Sequence, residues 1–156
     1  MRLRVLGIGN AARRDDGVGV WVAQVLATRL GDDADVRVLG DDGFALLDAL
    51  ADVEAAILVD AVQSGAAPGT VHRFDAATQA LPPALLRCST HLLGVAEVVE
   101  LARALNQLPA RLAVYGIEGA DFGLGQGLSG AVATAAAGLV EELVTELTDS
   151  PCTNTP

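Results

Sequence analysis

Residues 55–60 read Ala-Ala-Ile-Leu-Val-Asp, an unbroken apolar run that ends in a carboxylate. A run of this length predicts a strand buried on both faces, which is typical of a parallel sheet covered by helices. In such sheets ligands bind beyond the carboxyl ends of the strands, so Asp60 is a candidate site residue. The alternative is an aspartate that only hydrogen-bonds its own loop, at Gln63 or Ser64.

Strand and helix patterns alternate on both sides of this run. The predicted strands are residues 4–8, 36–39, 55–60, 70–74 and 111–117, and the predicted helices are 17–30, 44–50, 91–105 and 128–147. This order predicts one three-layer α/β domain, residues 1–148, with a mostly parallel sheet of about five strands and helices on both faces; residues 149–156 form a polar tail. Only nine residues separate Asp60 from Thr70. A parallel crossover needs about a dozen or more, so we expect an antiparallel strand at 70–74.

Charge and composition exclude several classes of protein. Half of the 156 residues are hydrophobic, which excludes a disordered chain, and the net charge of −10 disfavours nucleic acids and anionic membrane surfaces as partners. All ten basic residues are arginines, so chemistry that requires a lysine is excluded. No targeting segment is evident, and Cys88 and Cys152 are too few for a disulfide framework. We therefore expect a cytoplasmic protein.

The loop after the first strand carries the densest group of candidate residues. Residues 7–19 read Gly-Ile-Gly-Asn-Ala-Ala-Arg-Arg-Asp-Asp-Gly-Val-Gly. We expect one of Asp15 and Asp16 to cap the following helix, which leaves the other for a site. Arg13 and Arg14 are predicted to be solvated or paired with nearby aspartates; in the functional alternative, one of them holds a substrate carboxylate or carbonyl.

The same loop also satisfies a dinucleotide-binding pattern. Gly7, Gly9 and Ala12 fit G-x-G-x-x-G/A, and Asp41 or Asp42 after the second strand could bind a ribose. However, that pattern requires the helix to begin at the glycines, so that its N-terminus meets the pyrophosphate. Here four charged residues intervene before the apolar helical pattern. A dinucleotide-binding module is therefore the weaker alternative.

One of the two histidines lies at a predicted junction between loop and helix. His91 follows Ser89 and Thr90, either of which could cap the predicted helix, whereas His72 is predicted to be a solvated strand residue. Asp16, Asp60 and His91 then form an acid–acid–imidazole set from three separate junctions. This ligand mixture suits a borderline divalent cation, since imidazole favours zinc and nickel. A free-standing metallohydrolase that carries its own ion is a second alternative.

Four segments in this order resemble the nickel–iron hydrogenase maturation proteases. They are residues 7–19, the strand that ends at Asp60, Ser-Thr-His-Leu-Leu-Gly at 89–94, and Gly-Ile-Glu-Gly-Ala-Asp-Phe-Gly-Leu-Gly-Gln-Gly-Leu-Ser at 116–129. The resemblance extends from residue 1 to about residue 147. One segment departs from it: many members have Gly-Thr after the second strand, where this chain has Asp-Asp-Gly-Phe at 41–44.

The resemblance implies an endopeptidase that removes a C-terminal extension from the hydrogenase large-subunit precursor after nickel insertion. Asp16, where many members carry glutamate, Asp60 and His91 would then be the catalytic residues and would contact the metal. Nickel would belong to the substrate, and no organic cofactor is implied. We expect a monomer, because an enzyme that acts on a large folded protein needs an open docking surface.

Overall fold

Strands and helices alternate along the computed structural model, which describes residues 3–40, 42–82 and 94–149. The strands are β1 Leu3–Ile8, β2 Ala34–Leu39, β3 Ala55–Val62, β4 Val71–Asp75 and β5 Arg111–Glu118. The α-helices are α1 Val18–Leu30, α2 Gly43–Leu50, α3 Val95–Ala104 and α4 Gly130–Asp149, and short 3-10 helices form at Arg14–Gly17 and Gly31–Asp33. Each predicted strand and helix is thus present, although several bounds differ from those predicted.

The sheet has the strand order β2-β1-β3-β5-β4. Strands β1, β2, β3 and β5 pair in parallel, and β4 pairs antiparallel with β5 at the edge. The prediction of an antiparallel β4 is therefore confirmed. The connection after β3 is too short for the chain to return to the end of the sheet where β3 begins, as a parallel strand would require. All eight residues of β3 are buried at the centre of the sheet.

Helices cover both faces of the sheet, as predicted for a three-layer domain. One apolar cluster joins the sheet to α2 and α3, and a second joins it to α1 and α4. Adjacent residues of β3 point to opposite clusters: Leu58 belongs to the first and Val59 to the second. Gly19 lets α1 approach the sheet closely, since a Cβ there would overlap the carbonyl oxygens of Ile8 and Val59.

Three predicted bounds are wrong in ways that affect the site. Strand β3 continues to Val62, so Asp60 lies inside the strand rather than at its end. Helix α3 begins at Val95 with Gly94 as its N-cap, four residues after the predicted start, and the predicted caps Ser89 and Thr90 lie outside the described residues. Helix α4 extends to Asp149, the first residue assigned to the tail. His91, Cys88, Cys152 and the rest of the tail lie outside the described residues. None of the helices in the described ranges is long and apolar enough to cross a membrane.

Candidate functional site

Asp16 lies in the 3-10 helix between β1 and α1, near the carboxyl edge of the sheet. Its side chain is buried, and its Oδ2 accepts a hydrogen bond from the backbone N–H of Asn10 at 3.0 Å. Gly9 makes this fold of the loop possible, because its φ of +138° is open to glycine and a Cβ there would overlap the carbonyl oxygen of Asp16. The loop thereby holds the Asp16 carboxylate in a fixed place.

Asp60 lies on the neighbouring strand with an equally buried side chain. Both aspartates are 5% exposed, and Oδ1 of Asp60 accepts a hydrogen bond from the backbone N–H of Ala61 at 2.8 Å. Ser64, one of the two loop partners in the alternative to a site role, donates its backbone N–H and its hydroxyl to Glu118. Strand β3 continues two residues past Asp60, which places this carboxylate against the sheet rather than in the loop.

The structure brings the segments that carry Asp16 and Asp60 together. The 3-10 helix Arg14–Gly17 packs against β3, and Gly7 at the end of β1 pairs with Val59, the residue before Asp60. The third member of the predicted set, His91, lies outside the described residues. Within residues 3–40, 42–82 and 94–149, no three histidine, cysteine or acidic side chains form a metal-binding group. The three-residue set therefore stays a prediction, of which two members have a structural position.

Neither Asp15 nor Asp16 caps the helix that follows, contrary to the prediction that one of them would. The N-cap positions belong to Arg13 and Gly17, and neither makes a side-chain capping bond. The fully buried Asp15 carboxylate instead accepts four hydrogen bonds of 2.7–2.8 Å from distant residues: the backbone N–H groups of Ala120, Asp121 and Ser129 and the Ser129 hydroxyl. Burial alone would raise the pKa of Asp15, but these hydrogen bonds outweigh it and hold that pKa below its ordinary value.

The two arginines before Asp15 contact the same distant segment. The Nε of Arg13 donates to the carbonyl of Phe122 at 3.3 Å, and the Nε of Arg14 lies 3.5 Å from a carboxylate oxygen of Asp121. Arg14 has a φ of +48°, an uncommon conformation for a residue with a Cβ. Arg14 thus pairs with an aspartate that is remote in sequence, and not with a nearby one as predicted.

Sequence reasoning missed one buried carboxylate, that of Glu118. It is 1% exposed, and its oxygens accept hydrogen bonds from the backbone N–H groups of Ser64 and Ala66 and from the Ser64 hydroxyl. Its signal in the sequence is the one used for Asp60, an acid that ends an apolar run. The prediction of a solvated His72 is also wrong: its Nε2 is buried 3.8 Å from a Glu118 oxygen and has no hydrogen-bond partner among the described residues.

The structure does not fit the dinucleotide-binding alternative. Helix α1 begins only at Val18, so its N-terminus is separated from Gly7 and Gly9 by the 3-10 helix that carries two carboxylates. Asp42, a predicted ribose ligand, instead caps α2 by accepting hydrogen bonds from the backbone N–H groups of Phe44 and Ala45. Asp41 lies outside the described residues. A pyrophosphate would meet negative side chains where that fold offers backbone N–H groups.

Comparison with known proteins identifies relatives along most of the chain. The model of a family described as HycI, hydrogenase maturation protease, matches residues 20–146. The hydrogenase expression/formation protein HupD of Rhodobacter capsulatus is 35% identical over 151 residues, which cover 93% of this chain and 69% of that protein. The Hydrogenase 2 maturation protease of Escherichia coli is 33% identical over 122 residues, covering 75% of this chain and 73% of that one.

The fold agrees with these sequence relationships. The structure of the hydrogenase maturating endopeptidase HybD from E. coli superposes with a TM-score of 0.78 at 28% identity, covering 97% of this chain and 94% of that chain. The family match includes β3, with Asp60, and position 91, but it begins four residues after Asp16. Sequence and fold therefore agree, and the chain belongs to the family of hydrogenase maturation proteases.

Proposed function

We propose that this protease removes a C-terminal extension from the large-subunit precursor of a nickel–iron hydrogenase, and that it acts on the nickel-loaded form. The observation that carries the proposal is the pair of buried carboxylates, Asp16 and Asp60, on two segments packed together at the carboxyl edge of the sheet. Ligand sites in open α/β sheets lie at this edge. Family membership supplies the class of reaction, hydrolysis of a peptide bond.

Nickel carried by the substrate is the ion that Asp16, Asp60 and His91 would engage. Carboxylates supply negative charge to a divalent ion, and imidazole is a ligand that suits nickel. Backbone N–H groups from Asn10 and Ala61 hold the two carboxylates in orientation, as such bonds commonly do for metal ligands. Three ligands make an open shell, so the enzyme alone should bind a divalent ion weakly and should recognise the metal mainly as part of the precursor.

Two routes to the chemical step fit these residues. The metal ion could polarise the scissile carbonyl or lower the pKa of a bound water. Alternatively, Asp16 or Asp60 could act as a general base that removes a proton from the attacking water. Both routes place the scissile bond beside the metal. We further propose that the enzyme works as a cytoplasmic monomer, whose open surface accepts a large folded substrate.

The deciding experiment uses precursor of known metal content. Purified enzyme is incubated with nickel-loaded and with metal-free precursor, and the mass of the precursor is read by mass spectrometry. The proposal predicts loss of the C-terminal extension from the loaded form only, and addition of free nickel to the enzyme should not restore cleavage of the metal-free form. Efficient cleavage of metal-free precursor would show that the site does not recognise nickel. One tightly held ion per purified enzyme would favour the metallohydrolase alternative.

A further inference from the structure

Residues 119–129, here called the β5–α4 loop, are joined to the site loop, residues 9–17. Three backbone hydrogen bonds connect them: Arg14 N–H to the Gly125 carbonyl at 3.0 Å, Gly125 N–H to the Ala12 carbonyl at 2.9 Å, and Asp15 N–H to the Asp121 carbonyl at 3.0 Å. The four hydrogen bonds that the buried Asp15 carboxylate accepts from Ala120, Asp121 and Ser129 add to this connection. A loop rich in glycine is thereby fixed against the segment that carries Asp16.

One large apolar side chain on this fixed loop faces solvent. Leu124 is 86% exposed, although Phe122, two residues earlier, packs into the apolar core beside α1 and α4. Single exposed leucines are common on protein surfaces, so exposure alone indicates little. Here, however, the next residue, Gly125, makes backbone hydrogen bonds to Ala12 and Arg14. These hydrogen bonds fix the backbone next to Leu124, whose side chain is exposed.

Leu124 stays within reach of a substrate bound at Asp16. Consecutive Cα atoms are about 3.8 Å apart and paired strands about 4.8 Å apart, and Gly125 forms a parallel bridge with Arg13, three residues before Asp16. The Cα atoms of Leu124 and Asp16 are therefore no more than roughly 20 Å apart, the length of about six extended residues. A folded protein whose chain enters the site would cover this distance.

We propose that the β5–α4 loop is a preformed docking arm that contacts the hydrogenase large-subunit precursor through Leu124, and that Asp15 is the positioning residue that fixes the arm beside Asp16. This inference rests on the proposed function for the identity of its partner. A fixed arm loses little conformational freedom when it binds, so an apolar contact made by it adds directly to affinity. The contact is made equally in the ground and transition states, so its loss should raise KM and leave kcat unchanged.

The test measures precursor binding and processing separately for two matched leucine variants. Leu124→Ser removes the proposed contact, whereas Leu105→Ser is the control, because Leu105 is 50% exposed at the end of α3, the helix that leads into the amino end of β5. We expect about a tenfold rise in KM and in the Kd for nickel-loaded precursor for Leu124→Ser, with kcat and thermal stability unchanged and with Leu105→Ser like the wild type. Unchanged binding in Leu124→Ser would overturn the proposal.

A second variant tests the positioning role of Asp15. Asp15→Asn places an amide N–H₂ against donors and should increase hydrogen exchange at the backbone amides of residues 120–129, with a rise in KM at least as large as that of Leu124→Ser. Glu118→Gln is the matched buried carboxylate and should leave exchange in residues 120–129 unchanged. Hydrogen exchange at the wild-type rate in residues 120–129 of Asp15→Asn would contradict the role of Asp15 in holding the loop. If wild-type enzyme binds precursor without cutting it, the proposed function fails, and weaker binding by Leu124→Ser would still support the arm; if the wild type does not bind precursor, the arm is refuted.

Discussion

Asp15 and Glu118 are both buried carboxylates that hold a loop at the carboxyl edge of the sheet, but the two loops have different neighbours. Asp15 accepts hydrogen bonds from residues 105 to 114 positions away, and so joins the β5–α4 loop to the site loop. Glu118 holds the turn between β3 and β4, whose Gly69 packs closely against Ala131 of α4. The same interaction thus builds the candidate site in one place and supports an edge strand in the other.

This difference predicts that removal of Asp15 has the larger effect. Asp15→Ala leaves three backbone N–H groups and one hydroxyl without their acceptor, and each unsatisfied buried group costs about 1–3 kcal/mol. We expect the free energy of unfolding to fall by about 4 kcal/mol, together with loss of precursor processing. Urea unfolding followed by circular dichroism measures the first quantity. A decrease below about 1 kcal/mol would show that the loop does not depend on Asp15.

Glu118→Gln should lower stability with little effect on processing. The amide retains one acceptor oxygen but presents N–H₂ to the donors from Ser64 and Ala66, so we expect a loss of about 2 kcal/mol in the free energy of unfolding. Because the turn that it holds is separate from the site loop, kcat/KM for precursor should stay within about threefold of wild type. A larger loss of processing in a Glu118→Gln variant that is fully folded under the assay conditions would mean that this turn and the site loop act as one unit.

The lowered pKa of Asp15 predicts how the stability contributed by its hydrogen bonds depends on pH. A carboxyl group with a depressed folded-state pKa contributes stability that is present above its unfolded pKa and is lost as the pH falls through the folded value. The difference in unfolding free energy between wild type and Asp15→Asn should therefore be constant near neutral pH and should shrink as the pH falls below the ordinary value of 3.8. Urea unfolding at a series of pH values gives this difference, and one that grows on acidification would contradict the assigned direction.

The smallest effect is expected for the exposed ion pair in the same region. Asp121→Asn removes the charge that faces Arg14, but both side chains are about half exposed, and such pairs contribute about 0.5 kcal/mol or less. The amide can still accept the hydrogen bond that Gly123 donates to the Asp121 side chain. Thermal unfolding and KM for precursor should both stay close to wild type. A large change in either would show that the arm is held by its surface charges rather than by Asp15.

Features set by local pattern were predictable from the sequence. The apolar run at 55–60 identified the central strand, and the short connection after it identified β4 as antiparallel, because both depend on neighbouring residues and chain length. Asp16 and Asp60 were selected for the same reason: parallel strands bring their carboxyl ends to one edge of the sheet.

Features set by distant contacts were not predictable. Asp15 occupies a position where the sequence predicts a helix cap, yet its hydrogen-bond partners lie more than a hundred residues away. The spacing of apolar residues along the chain carries no information about such a distant contact. His72 follows the pattern of a solvated strand residue, but its ring stacks with that of Phe74 and its Nε2 is buried 3.8 Å from Glu118. The sequence predicts that β3 ends at the carboxylate of Asp60, whereas its pairing with β5 continues to Val62.

Two substitutions of one residue test the assigned site most directly. Wild-type enzyme, Asp16→Glu and Asp16→Asn are incubated with nickel-loaded precursor, and loss of the C-terminal extension is followed by mass spectrometry, with Asp33→Asn as a control at an exposed acidic position. Glutamate retains the charge that a divalent ion requires, so Asp16→Glu should still cut, whereas Asp16→Asn should be slower by at least a hundredfold, on the order expected for loss of a metal-binding group. Cleavage by Asp16→Asn at the wild-type rate would contradict the assignment.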